Sequence, residues 1–309
     1  MRWEGEVDVR QFGVRIPASS ANLGSGFDCL GIALGIYLDL EVKIDDSAPP
    51  RVELDGVEHA DPTHSASAIL RGFAAMGWGK SIPGSLVLRS RSDIPRARGL
   101  GSSGAAILAG AAAWQMLSES EIDEERLLQV ATEVEGHGDN VTPSLYGGFT
   151  VLVREDSALV YARIDPPEEL RAVVAVPDFE VSTRKAREVL SERIDFDDAV
   201  DALGRAAMVT AVMATGELAK LRTALDDSLH EPYRAALVPG LCKVKRAAVE
   251  AGAWGASLSG AGPSVLALTN ADRSDDVARA MTEAWRQLDI SSQALLLDID
   301  RAGLQVVEV

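Results

Sequence analysis

The sequence predicts a soluble protein of mixed strands and helices in two domains, and three observations carry that prediction. At 309 residues the chain is long for one core and comfortable for two. Hydrophobic residues make up 47% and charged residues 25%, a globular balance. Short strand-like runs are interleaved along the chain with segments of helical spacing. No apolar run approaches the roughly 20 residues that cross a bilayer. A formal net charge of −17 argues against nucleic acid and anionic membrane surfaces as partners. The first residues hold no apolar stretch of signal type, and only Cys29 and Cys242 occur, far apart. A reducing cytoplasm is therefore expected, with both thiols as small core residues. Asn140-Val141-Thr142 is a glycosylation sequon in form only, because no secretory signal accompanies it. The chain shows no internal repeat and no low-complexity segment.

Taken in order, residues 12–16 read as a short strand. The stretch 17–28 is rich in small polar residues and reads as a loop, with Asn22 and Asp28 either as hooks for a ligand or as turn residues. Strands follow at 34–44 and 51–54, then a helical segment at 65–76 that Gly77 and Gly79 end. A strand at 85–91 leads into a basic, glycine-containing loop. The helix expected over 103–117 is apolar almost all round, so it should lie buried between layers. Asp123, Glu124 and Glu125 open the next helix, with acids at its positive end. It runs to Val134, and Glu135, His137, Asp139 and Asn140 follow as surface decoration or as part of a site.

Strands are expected at 146–154 and 159–164, and the domain division is set between 155 and 156, giving domains 1–155 and 156–309. A buried strand covers 170–176, and a capped helix begins near Ser182 and runs to about 192. Arg184, Lys185 and Arg187 fall in its first turn, against the helix dipole, which points to one of them facing an anion. Residues 196–221 read as one or two long helices. Arg234, in His230-Glu231-Pro232-Tyr233-Arg234, reads on its own as a surface arginine after a proline turn. Lys243, Lys245 and Arg246 read as a solvated helix face. A glycine loop at 255–264 precedes a strand at 265–269, an amphipathic helix covers 275–288, and strands at 294–299 and 304–307 close the chain.

The chemistry is densest in Pro95-Arg96-Ala97-Arg98-Gly99-Leu100-Gly101-Ser102-Ser103, which runs straight into the apolar helix. A helix N-terminus offers unpaired N–H groups and partial positive charge, and glycines let backbone approach an anion closely. Ser102 and Ser103 can cap the helix or turn a hydroxyl toward a metal. Gly99, Gly101 and Gly104 match the dinucleotide fingerprint in spacing, but Pro95 to Arg98 separate them from the preceding strand. Gly79-Lys80-Ser81 resembles the tail of a P-loop, yet Ala74 stands where that loop opens with glycine.

Pro-x-x-x-Gly-Leu-Gly-Ser-Ser at 95–103 resembles the phosphate loop of the GHMP kinases, and Gly255 to Ser264 is similar to their C-terminal glycine motif. Pro-Ala-Ser-Ser-Ala-Asn-Leu-Gly-Ser-Gly-Phe-Asp at 17–28 and Glu-Gly-His-Gly-Asp-Asn-Val at 135–141 resemble the homoserine kinase branch in particular. Gly138 stands where that branch commonly has proline. The resemblance implies an α+β fold of two domains. The first resembles domain 2 of ribosomal protein S5 and carries a left-handed βαβ unit, an exception to the usual hand. The second is ferredoxin-like. It implies an ATP-dependent kinase that phosphorylates L-homoserine in threonine biosynthesis, with magnesium as cofactor and a homodimer left open. The loop from Pro95 to Gly104, with Gly260 and Gly262, would hold the phosphates. Ser103 and Glu135 would hold the metal, with Glu133 as the fallback. Asn22, Asp28, His137, Asn140, Thr183, Arg187 and Arg234 would line the acceptor pocket. Asp28 would meet the ammonium group, and the two arginines the carboxylate. No general base stands out, and Asp139 and Asn140 are pocket candidates. The alternatives are another GHMP kinase, of threonine or mevalonate type, or a non-catalytic regulator that binds nucleotide or amino acid.

Overall fold

The computed structural model describes residues 9–49, 51–59, 66–77, 84–119, 121–156 and 158–308. Two long strands frame the first half, β1 (Val9–Ala21) and β2 (Leu30–Asp45), paired antiparallel with a bulge between Pro17 and Ala18. β3 (Arg51–Leu54) and β4 (Val57–His59) form a hairpin, helix α1 (Ala68–Ala75) follows, and β5 (Ser85–Ser92) returns parallel to β3 and antiparallel to β2. Then come α2 (Ser102–Ser118), α3 (Glu124–Glu135) and α4 (Val141–Tyr146). β6 (Phe149–Glu155) joins β2, and β7 (Ala158–Ile164) joins β6. That hairpin straddles positions 155 and 156. The C-terminal strand β12 (Gln305–Val307) also returns to β1 in this sheet.

The second sheet is antiparallel and consists of β8 (Arg171–Pro177), β9 (Gly255–Leu258), β10 (Val265–Thr269) and β11 (Ser292–Asp298) in the order β11-β8-β10-β9. This is the ferredoxin-like order that the resemblance implied. Helices α9 (Leu241–Glu250) and α10 (Ala271–Arg286) cover one face. Between β8 and α9 lie α5 (Thr183–Glu188), α6 (Phe196–Thr215), α7 (Leu221–Ala224) and α8 (Glu231–Arg234). β8 is apolar on both faces. Val173 and Ala175 pack with Val265, Ala267 and Trp285, while Ala172, Val174 and Val176 join the large core of the first half.

Several expectations need correction. Residues 17–21 are strand, not loop, because their small side chains let β1 run on beneath the pocket, fully buried. Tyr146 ends a helix that Pro143 starts well and Gly147 stops, so the strand begins only at Phe149. The long helix ends at Thr215, capped by left-handed Gly216. Helix α5 is a single short turn pair, which puts Arg187 in its last turn, where the dipole favours a cation. Cys29 and Cys242 are exposed, not core. Lys245 is not solvated but reaches the buried Glu231 at 2.5 Å. Gly79-Lys80-Ser81 and the helix start at 65 lie outside the described residues.

Candidate active site

Helix α2 begins on Gly101, which sits at φ +67 and caps the helix with no side chain. Its first-turn N–H groups are thus left for a ligand. Glycine is required here and at Gly99. A Cβ on Gly99 would lie 2.0 Å from the Ser259 carbonyl oxygen, and one on Gly101 would lie 2.2 Å from Ser19 Oγ. The two halves are stitched together at this point. Ser259 Oγ donates to Gly99 O at 2.6 Å, and Gly260 N–H donates to Ala21 O at 3.1 Å.

One pocket is lined by Pro95 and the loop Ala97 to Ser103 on one side and by Asn22, Asp28, Thr183, Arg187 and Arg234 on the other. Glu135, His137, Asp139, Asn140, Gly260 and Ala261 complete it. Nearly every residue singled out from the sequence therefore meets in one place. Arg96 lines a neighbouring groove, and Gly104 and Gly262 do not line the pocket. The Arg98 guanidinium donates to the carbonyls of Pro177 and Asp178 at 3.0 and 3.1 Å and pairs with Glu180, so it anchors the loop to the second half. Exposed Glu133 accepts from Gln129 and takes no part in the wall.

Ser103 Oγ donates to Glu135 Oε2 at 2.7 Å, closing the N-terminal end of α2 against the C-terminal end of α3. Burial pushes the Glu135 carboxyl above its ordinary pKa, more than Ser103 and His137 pull it down. His137 Nδ1 lies 2.6 Å from Asp139 Oδ1. Burial opposes charge on that ring, but the Asp139 bond and the fields of Asp139 and Glu135 hold its pKa above the usual value. Asn140 accepts from Ser19 Oγ through its carbonyl and its side chain, at 3.0 and 3.1 Å.

Asp28 takes both Nη groups of Arg187 at 2.7 and 2.9 Å. Asn22 Nδ2 donates to Gly260 O at 2.9 Å, and its Oδ1 accepts the Asp28 N–H at 3.1 Å. Phe27 lies under both arginines, 5.4 Å from Arg187 and 5.2 Å from Arg234. Burial, then the charge of Arg187, lowers the Arg234 pKa to about 10. The sequence reading passed over Phe27, His230 and Asp227. Phe27 and His230 lie inside motifs already quoted, whereas Asp227 sits in an ordinary polar turn that carries no signal. Among the described residues no cluster of three or more metal-ligating side chains occurs, and no helix is long and apolar enough to cross a membrane.

Residues 65–148 match the model of the GHMP kinase N-terminal domain, and 208–287 match that of the GHMP kinase C-terminal region. The chain is 42% identical to the homoserine kinase of Deinococcus radiodurans over 301 residues, covering 96% of this chain and 97% of that one. It is 36% identical to the homoserine kinase of Desulfitobacterium hafniense over 297 residues, covering 95% and 99%. The crystal structure of homoserine kinase from Cytophaga hutchinsonii superposes with a TM-score of 0.84 at 30% identity, covering 99% of this chain and 100% of that one. A mevalonate kinase at 12% identity, covering 94% of this chain and 99% of that one with a TM-score of 0.71, shares the fold alone.

Proposed function

The chain belongs to the homoserine kinases of the GHMP superfamily, and from that premise we propose how its pocket works. ATP gives its γ-phosphoryl group to the side-chain hydroxyl of L-homoserine, yielding O-phospho-L-homoserine for threonine biosynthesis. The observation that carries the site assignment is the sharing of one pocket by an uncapped helix N-terminus and by Asp28, Arg187 and Arg234. The first supports a polyphosphate, and the second an amino acid with charges of both signs.

In this reading the backbone from Ala97 to Ser103 cradles the β- and γ-phosphates. Asp28 turns from Arg187 to the substrate ammonium, which frees the Arg187 fork for the carboxylate beside Arg234. Asn22 holds the Asp28 loop in place through the Asp28 N–H. His137 and Asn140 line the wall between the two ligands, where the acceptor hydroxyl must lie. Asp139 is committed to His137 and to the Asn140 N–H, so it orients His137 and does not serve as a free base. Positioning and charge neutralisation then carry most of the rate, as is general for phosphoryl transfer. Magnesium suits Ser103 and Glu135, two hard oxygen donors 2.7 Å apart at the phosphate loop, and when bound it neutralises charge on the phosphates. Mevalonate has a carboxylate but no ammonium group and would leave Asp28 without its partner.

The test is ADP release with MgATP and L-homoserine, run beside L-threonine, L-serine and mevalonate. We expect turnover with homoserine, and a loss on the order of 10²-fold in kcat/KM for Arg234→Ala, a buried charged contact removed. Preferred turnover of another alcohol would overturn the acceptor assignment. ATP binding with no turnover of any alcohol would mark a regulator.

A further inference from the structure

We propose that His230 is a positioning residue for the acceptor site: as a neutral imidazole it accepts a hydrogen bond from Arg234 and fixes which edge of that guanidinium reaches the substrate. The inference rests on the acceptor-site reading above. Arg234 is 2% exposed and yet lines the pocket. Of its five N–H donors, Nε donates to Ala186 O at 3.0 Å, and Nη1 donates to Gly260 O at 3.0 Å. The second Nη1 donor meets His230 Nδ1 at 3.2 Å. Among the described residues only Nη2 is left for a ligand.

The tautomer follows from the other ring nitrogen. His230 Nε2 lies 2.9 Å from Gly24 O, and a carbonyl only accepts, so Nε2 carries the proton and Nδ1 keeps its lone pair. A proton on Nδ1 would set two donors against each other beside a fixed positive charge. The groups facing the ring are consistent with neutrality. Asp227 stands 3.5 Å from Nε2, but it already accepts from Ser25 Oγ and from the N–H groups of Leu229, His230 and Glu231. Glu231 turns away to Lys245 and to the Leu258 N–H. The Phe27 ring, 5.4 Å off, offers no charge. Burial leads the causes that hold the His230 pKa below its usual value.

Two variants separate this role from packing. Asn places an acceptor near the Nδ1 position, whereas Gln keeps a donor near Nε2 and loses that acceptor. In His230→Gln the KM for homoserine should rise about ten- to hundredfold with the KM for ATP nearly unchanged, and His230→Asn should restore most of the loss. Equal behaviour of the two variants, or parallel rises in both KM values, would overturn the proposal. If wild-type protein fails to turn over homoserine, the parent reading fails instead. Should the variants not fold, nitrogen-15 NMR of wild-type protein decides. A neutral Nε2–H ring from about pH 6 to 8 supports the proposal, and an imidazolium or an Nδ1–H tautomer sinks it.

Discussion

Glu135 sits where burial makes its charge unwelcome. Its folded pKa is raised, chiefly by burial, so the folded state binds a proton more tightly than the unfolded chain does. Stability is then lost as pH rises from the ordinary glutamate range through the raised value. Glu135→Gln removes that loss. Without ligands its Tm at neutral pH should exceed that of wild type, and the gain should shrink as the pH is lowered toward about 4. Its kcat should fall on the order of 10²-fold, as when one preorganised electrostatic contact is removed. Thermal melts across pH and an ADP-release assay check both, and equal melts at every pH would deny the burial cost. Single residues divide sharply in what the sequence reveals. Ser103 and Glu135 lie in recognisable motifs, so they were legible. The Arg98 anchor on Pro177 and the Lys245 pair with Glu231 were not, because long flexible side chains choose partners that only the fold brings near.

Helix α2 was the most legible element, since a run apolar on every side has nowhere to go but the interior. The end of β1 was the least legible. Ser19 and Ser20 read as loop, yet they pair with Ala33 and Ile32 of β2, and bonds to Asn140 and Ser259 across the chain satisfy their buried hydroxyls. The glycines inside helices test the same point. Gly110 of α2 faces α1 so closely that a Cβ would lie 1.8 Å from Ile69 O. Alanine there would add about 1 kcal/mol of helix propensity but force two backbones apart, at about 1–3 kcal/mol or more. Gly110→Ala should therefore lower the Tm and, by moving the start of α2, raise the KM for ATP. Gly204 of α6 meets nothing within 4 Å of the same added atom. Gly204→Ala should stabilise by about 0.5–1 kcal/mol and leave turnover unchanged. Melts of the two variants side by side check the contrast, and a common sign would refute it.

At the scale of the molecule, the two sheets do not have separate interiors. The larger core runs from β1 and β2 through α2 to Val174, Val176, Leu266 and Leu268 of the second sheet and on to Val209 and Val212 of α6. Polar bonds close the same seam at the pocket, where Asn22 holds Gly260 and Ser20 Oγ meets Ser259 Oγ at 2.8 Å. Opening one half would expose apolar surface of the other, so the halves should unfold together. Far-ultraviolet and near-ultraviolet circular dichroism should report one coincident transition, and two resolved steps would show independent domains. Ligands that sit on the seam should raise that single transition. A non-hydrolysable MgATP analogue or homoserine, each at about 100 times its Kd, adds about 2.7 kcal/mol. In Arg187→Ala the nucleotide shift should persist while the homoserine shift collapses, because the Arg187 guanidinium is spent on Asp28. Loss of both shifts would mean instead that the Asp28 and Arg187 pair holds the halves together.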